Sequence, residues 1–137
     1  MNCRTRMHRR AIVEWSVDGV RGPVSYPPEL LDENCQGSVL HAGGAHWLSN
    51  IHSSWERAKL GIRRSTDGGH TWAEVREVRR GPAAYSQLIE LGSGHRRGEG
   101  AREGGAVRLG LLYEGGAWCP YEVIAFATMT FKDLSHQ

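Results

Sequence analysis

A turn signature, Ser65-Thr66-Asp67-Gly68-Gly69-His70-Thr71-Trp72, constrains the fold of this chain more than any other stretch. Its aspartate can accept hydrogen bonds from neighbouring backbone N–H groups, and its glycines supply the positive φ angles of a tight turn. An alternating segment, KLGIRRS, leads into the turn, and TWAEVREV leads out of it. The pattern predicts a β-hairpin with the Trp72 ring packed beneath it.

Short strand-like segments fill most of the remaining chain. RRAIVEW precedes a turn at Ser16-Val17-Asp18-Gly19, GSVLHA and HWLSNIH flank Gly43-Gly44, and AYSQLIEL, VRLGLLYE and YEVIAFATMTF follow the central hairpin. In GPVSYPPELLDENCQ, the three prolines at positions 23, 27 and 28 predict an unpaired connection, within which only PPELLDE could form a helical turn. About eight or nine strands are therefore predicted, as in an all-β propeller, sandwich or barrel.

Residues 92–106 differ in composition from these strands. They are rich in Gly, Arg and Glu and contain no apolar side chain larger than alanine. Such a segment cannot bury enough surface to offset its conformational entropy, so a flexible hairpin loop is predicted there.

Charge and cysteine content exclude several classes of protein. A net charge of +2, with scattered arginine doublets, does not predict nucleic-acid binding. The three cysteines, Cys3, Cys35 and Cys119, lack metal-ligand or disulfide-framework spacing, which favours a reducing compartment. The histidines likewise show no ligand spacing, so no metal is expected.

No secretory signal follows the basic start, and no run of about 18 apolar residues occurs. A cytoplasmic or peripheral membrane location is therefore expected.

The turn signature resembles the Asp box of sialidases, with Ser65, Asp67, Gly69 and Trp72 as its structural members. Ser16 to Gly19 resembles a degenerate second copy. Further motifs, in order, resemble the C-terminal part of animal-type exo-α-sialidases: NCRT at the start, then NCQGSV, SWERAKLG, AYSQL, LLYE and IAF. This resemblance spans nearly all of residues 1–137. It implies one catalytic-domain portion, namely the last two to three blades of a six-bladed, antiparallel β-propeller.

The resemblance also implies roles for individual residues. Arg4 and Arg57 match two members of the arginine triad that binds the sialic acid carboxylate, for which a charged guanidinium fork is well suited. A surface ion pair is the alternative for either arginine. Glu114 matches the carboxylate that orients the remaining triad arginine, and Gln36 matches a residue lining the glycerol or N-acyl side of the substrate.

Tyr85 matches the tyrosine nucleophile of this family. The anomeric carbon of sialic acid carries a carboxylate, so a neutral phenol avoids the repulsion that an anionic nucleophile would meet. The phenol, with an ordinary pKa of about 10, needs a base during attack. No residue here matches the family's base, its general acid or its first arginine. The alternative for Tyr85 is a structural strand tyrosine.

The implied function is retaining hydrolysis of terminal α-linked sialic acid from glycolipids or glycoproteins, without a cofactor. We expect the isolated chain to be inactive, because the base, the acid and one arginine are lacking. A non-catalytic Asp-box module that binds glycans or proteins is the alternative. A chain that does not fold stably, because open propeller edges are exposed, is a third possibility.

Overall fold

A computed structural model describes residues 1–92 and 106–131. Among these residues there are nine strands and no helix, and hence no helix that could cross a membrane. The strands are β1 (Asn2–Cys3), β2 (Ala11–Trp15), β3 (Arg21–Ser25), β4 (Ser38–Ala42), β5 (Ala45–Ile51), β6 (Ala58–Ser65), β7 (Ala73–Glu90), β8 (Val107–Gly115) and β9 (Val123–Phe131). The all-β prediction is confirmed. The loop predicted at 92–106 lies, apart from its two end residues, outside the described residues.

All neighbouring strands are antiparallel, in a sheet of β1–β2–β3 and a second of β4 to β9 in chain order. The long β7 belongs to two successive units, because its first half pairs with β6 and its second half, from Ala83, pairs with β8. The last strand of one four-stranded unit thus continues as the first strand of the next. This is the architecture of a partial β-propeller, as the family resemblance implied.

Stacking of these units explains why β5 is buried on both faces. Trp47 is buried in a large cluster that includes Leu60 and Ile62 of β6 with Leu109 and Leu111 of β8. The next residue, Leu48, points the other way, into a smaller cluster with Ile12, Leu30 and Trp72. Successive side chains of a strand face opposite sides, so one sheet is covered by its neighbours on both. The first cluster joins the two halves of the larger sheet, and the second attaches the β1–β3 sheet.

The central hairpin has the predicted form. Gly68 and Gly69 have φ angles of 76° and 97°, the Gly69 N–H donates to Ser65 Oγ at 2.9 Å, and Ser65 Oγ donates to Asp67 Oδ1 at 2.7 Å. Hydrogen bonds from the Thr71 hydroxyl and N–H, and from Ser65, hold the pKa of Asp67 well below its usual range. Trp72 is buried, and its Nε1–H donates to the Gly69 carbonyl at 2.9 Å. The aspartate therefore acts as a turn anchor.

The turn at Ser16 repeats part of this geometry. Ser16 Oγ accepts from the Val20 N–H at 3.1 Å, four residues on, just as Ser65 accepts from Gly69. Gly19 also has a positive φ angle of 75°. The two turns therefore share a backbone N–H bond to the serine hydroxyl and a glycine with a positive φ angle.

Two predictions about strand boundaries are wrong. The prolines predict an unpaired segment around Pro23, yet β3 pairs with β2 there. Pro23 is tolerated because β3 is an edge strand and its register shifts opposite Glu14, where a ladder N–H is not needed. The pattern also predicts TWAEVREV and AYSQLIEL as separate strands, whereas β7 runs through both without a break. Pro82 falls where β7 changes partner, so its missing N–H costs no ladder bond.

Candidate functional site around Tyr85

Tyr85 lies in a β-bulge at the point where β7 begins to pair with β8. Ala83 pairs with Gly115 and Ser86 pairs with Tyr113, so β7 advances by three residues while β8 advances by two. The Tyr85 N–H donates instead to Glu114 Oε2 at 3.2 Å. Bulges reorient side chains relative to the sheet, and the Tyr85 side chain here is 38% exposed.

Arg57 reaches Tyr85 because the backbone holds the two segments together. The Ala83 N–H donates to the Arg57 carbonyl at 2.9 Å, just ahead of the bulge. The Arg57 guanidinium carbon lies 5.4 Å from the centroid of the Tyr85 ring, within the range of a cation–π contact. Its Nη1 donates to Tyr121 Oη at 2.6 Å and its Nη2 donates to the Asn34 carbonyl at 3.3 Å.

The charge of Arg57 is secure. Burial lowers the pKa of Arg57, but at the high pH where a guanidinium titrates the ionised Cys35 thiolate and Tyr121 phenolate more than offset this effect, so the net pKa is raised above its ordinary value. Cys35 itself is fully buried, and burial raises the pKa of its thiol to about 11. At neutral pH a neutral thiol and a charged guanidinium are therefore neighbours beside Tyr85.

Arg4 and Gln36 approach Tyr85 from two other parts of the chain. Arg4, immediately after β1, donates from Nη1 to Tyr85 Oη at 3.2 Å. Gln36 Oε1 accepts from the Ser86 N–H at 3.1 Å, and its Nε2 donates to the Gly37 carbonyl at 3.0 Å. The structure thus brings together all five residues that the sequence resemblance selected: Arg4, Gln36, Arg57, Tyr85 and Glu114.

Two adjoining cavities open at this cluster, and Tyr85 and Gln36 line both. The larger, of about 440 Å³, is also lined by Asn2, Arg4, Arg10 and Gly37. The smaller, of about 210 Å³, is more apolar and includes Leu112 and Ile124 together with Glu114. Among the described residues, no carboxylate forms a salt bridge with Arg4 or Arg57. Of these two arginines, Arg4 lines the larger cavity, which therefore favours an anionic ligand of the size of a sugar.

Comparison with known proteins finds a relative among the sialidases. The chain is 35% identical to human (Homo sapiens) Sialidase-4 over an alignment of 92 residues, and the alignment covers 64% of this chain. This chain is related to the sialidases. The alignment covers 17% of Sialidase-4, so this chain spans only a small part of that relative's length. No protein-family model matches the chain.

Sequence reasoning missed Tyr121 as a partner of Arg57 in the site. Tyr121 follows β8 in a turn that is held by Glu122, whose carboxylate accepts from the backbone N–H groups of Ala117, Trp118 and Cys119 at 2.7 to 2.9 Å. The turn presents the Tyr121 hydroxyl to Arg57. Tyr121 is the first residue of the strand-like run YEVIAFATMTF, and that pattern alone gives no sign of a partner far away in sequence.

Sequence reasoning also missed a buried ion pair below the site. Arg10 Nη1 donates to Asp32 Oδ2 at 2.7 Å, and the two side chains are 3% and 0% exposed.

No group of three or more His, Cys, Asp or Glu side chains in residues 1–92 and 106–131 is placed to bind a metal ion.

Proposed function

We propose that this chain carries part of an exo-α-sialidase active site, which hydrolyses terminal α-linked sialic acid from glycolipids or glycoproteins. The observation that carries the proposal is the placement of two arginines against one exposed tyrosine. Arg4 bonds to the hydroxyl of Tyr85, and Arg57 stacks on its ring. This arrangement matches a ligand in which a carboxylate lies next to an electrophilic carbon. In sialic acid the carboxylate is attached directly to the anomeric carbon, which is the electrophile.

Carboxylate binding is assigned to Arg4 and Arg57. A guanidinium has five N–H donors, and the protein bonds of these two side chains leave several unused. Charge-assisted bonds of this kind are about twice as strong as neutral ones. Gln36 and the wall of the larger cavity then face the substituents of the bound sugar.

Nucleophilic attack is assigned to Tyr85. In the proposed step, Tyr85 Oη passes its proton to a base and forms a bond to the anomeric carbon as the glycosidic C–O bond breaks, and the departing oxygen takes a proton from a general acid. Both the base and the acid would have to come from outside the described residues. Water then cleaves the tyrosyl intermediate, so that two inversions give net retention. The N–H that Arg4 donates to Tyr85 Oη stabilises negative charge on that oxygen as its proton leaves.

Turnover by the isolated chain is not expected. The phenolic proton must pass to a base, and in the described part of the chain the hydroxyl of Tyr85 has a hydrogen bond to Arg4 but none to a carboxylate. Glu114 bonds to the backbone of Tyr85 instead of its hydroxyl. The site as described supplies binding groups and a nucleophile without the proton acceptor.

The test is calorimetric titration with the unsaturated glycal of sialic acid, a planar analogue of the transition state. We expect the wild-type chain to bind it and Arg57→Ala to lose binding, while a fluorogenic sialoside is not turned over. Far-UV circular dichroism establishes that both proteins are folded. Folded wild-type protein that does not bind the glycal would refute the proposed site. Turnover that is abolished in Tyr85→Phe would refute the expected inactivity.

A second candidate is a non-catalytic module that binds glycans or proteins. It is favoured by the same lack of a carboxylate at the Tyr85 hydroxyl, since a binding site needs the arginines but no base. Under this alternative, Tyr85→Phe retains glycal binding and no added domain restores turnover. Under the sialidase proposal, a longer protein that includes this chain hydrolyses the sialoside through Tyr85.

A reducing location, either cytoplasmic or at a membrane surface, is part of the proposal. All three cysteines are free thiols. Sialylated glycolipids lie in membranes, so peripheral contact with a membrane would bring the site to such a substrate. Co-sedimentation of the chain with ganglioside-containing vesicles tests this, and sedimentation equal to that with plain phosphatidylcholine vesicles would contradict it.

A further inference from the structure

A short loop between β3 and β4, residues 34–37, forms hydrogen bonds with Arg57 and with the part of β7 that carries Tyr85. The Asn34 carbonyl accepts from Arg57 Nη2 at 3.3 Å. Gln36 Oε1 accepts from the Ser86 N–H at 3.1 Å, directly beside Tyr85. The position of this loop therefore affects the spacing of Arg57 and Tyr85.

The loop conformation needs support from its surroundings. Asn34 has a φ angle of 48°, in the left-handed region, which asparagine adopts more readily than other residues with a side chain. Gly37 allows no side chain, because a Cβ there would lie 2.6 Å from the Ser49 carbonyl oxygen. Such a backbone persists only where neighbouring groups hold it.

The buried Arg10–Asp32 ion pair supplies that support at Cys35. Asp32 Oδ1 accepts from the Cys35 N–H at 2.6 Å, and Arg10 Nη1 donates to the Cys35 carbonyl at 2.9 Å. One residue of the loop is thus bonded on both sides of its backbone by two partners that are themselves paired at 2.7 Å. Asn50 Nδ2 adds a longer contact to Asp32, at 3.4 Å.

We propose that the Arg10–Asp32 pair is a positioning device for the candidate site. By fixing the backbone of Cys35, it holds the loop of residues 34–37 so that Arg57 and the Tyr85 strand keep the separation that a single carboxylated sugar requires. Arg10 forms part of the cavity wall, but its Nε and Nη1 are bonded to Asn2, Asp32 and Cys35. These bonds link the pair to the loop. Because Arg10→Met also removes a charge from the cavity wall, a loss of ligand affinity supports positioning only when the loop itself is shown to open. The inference rests on the proposed function for its ligand.

The decisive variant is Arg10→Met/Asp32→Asn, compared with Ile62→Val in the large core. Removing one charge alone would leave its partner buried and unpaired, with a risk of unfolding, whereas removing both avoids that. The amide introduced by Asp32→Asn would still offer an acceptor to the Cys35 N–H, while the Cys35 carbonyl would lose its donor. Ile62→Val lowers stability without touching the loop, and so serves as the control for general destabilisation.

Three readouts separate positioning from mere stability. In the double variant we expect glycal binding to weaken about tenfold, since small misplacements of a site are costly. We also expect Cys35 to react about tenfold faster with Ellman's reagent, because local opening of the loop would expose its thiol. Hydrogen exchange at the Ser86 N–H should accelerate likewise. Ile62→Val should leave all three within about twofold of wild type.

The outcomes distinguish this inference from the proposed function. Unchanged Cys35 labelling and Ser86 exchange in the double variant would show that the pair does not fix the loop. Faster labelling with unchanged glycal affinity would show that the loop does not set the site. If wild-type protein does not bind the glycal at all, the proposed function fails, and with it the positioning role for that ligand, while the two loop readouts still report whether the pair holds the backbone.

Discussion

Trp72 should contribute more to the stability of this chain than any exposed aromatic residue. Its side chain is 7% exposed and packs with Ile12, Leu30 and Leu48, so that it joins the β1–β3 sheet to β5. Its Nε1–H also closes the central turn through the Gly69 carbonyl at 2.9 Å. One ring therefore contributes to both the hairpin and the packing between sheets.

The structure allows the two contributions to be measured separately. Trp72→Ala removes a buried aromatic side chain, at a cost of about 3–5 kcal/mol, and also its hydrogen bond, worth about 1 kcal/mol. Trp72→Phe keeps an aromatic ring and leaves the Gly69 carbonyl without its donor, which costs about 1–3 kcal/mol. Against a total stability of about 5–15 kcal/mol for an ordinary domain, Trp72→Ala brings the chain close to unfolding.

Urea unfolding at 25 °C, followed by far-UV circular dichroism, measures these differences. Fluorescence is less suitable because the chain has five tryptophans. Trp118→Ala is the matched control, since Trp118 is 92% exposed and its loss should change stability by no more than about 0.5 kcal/mol. If Trp72→Ala were within about 1 kcal/mol of Trp118→Ala, the assignment of Trp72 to the core that joins the sheets would be wrong.

Further predictions concern three other positions. Tyr121→Phe removes the 2.6 Å acceptor of Arg57, so glycal affinity measured by calorimetry should fall by roughly threefold to tenfold; unchanged affinity would exclude a role in binding. The pKa of Asp67 is lowered on folding, so its stabilisation is present above about pH 4 and lost as the pH falls further. The difference in urea midpoint between wild type and Asp67→Asn should shrink accordingly between about pH 6 and pH 3, and a constant difference would contradict this. Gly37→Ala places a Cβ 2.6 Å from the Ser49 carbonyl oxygen, a backbone atom that cannot move aside freely, and should lower the melting temperature through a cost of about 1–3 kcal/mol; an unchanged melting temperature would contradict this close approach.

The strands and the central hairpin could be predicted because their signals are local. The turn from Ser65 to Trp72 contains its own acceptor, glycines and closing ring, and these interact within the turn itself. The hairpin around Gly43 is similar, with positive φ angles at both of its glycines. Where the prediction depended on tertiary context it was wrong, as at Pro23, because sequence cannot show that a strand lies at a sheet edge.

The residues of the candidate site could be predicted only through the family resemblance, which gave their identities but not their arrangement in space. Nothing local to Tyr85 shows that a bulge tilts it out of the sheet, since the bulge arises from a register mismatch with β8. Arg57 and Tyr121 are 64 positions apart, and Arg10 and Asp32 are 22 apart. Pairs of this kind are set by how the sheets stack, so no spacing rule in the sequence identifies them.

The members of the site differ in how firmly the fold holds them. Arg57 and Tyr85 are fixed by backbone bonds between segments that share the large core, such as the bond from the Ala83 N–H to the Arg57 carbonyl. Arg4 follows the two-residue strand β1, whose sheet contributes only Ile12 to the small cluster with Trp72. Segments with few buried contacts open at lower free energy than the core does. Arg4 should therefore be the first member lost on local opening, and carboxylate binding should weaken before the stacking of Arg57 on Tyr85 is disturbed.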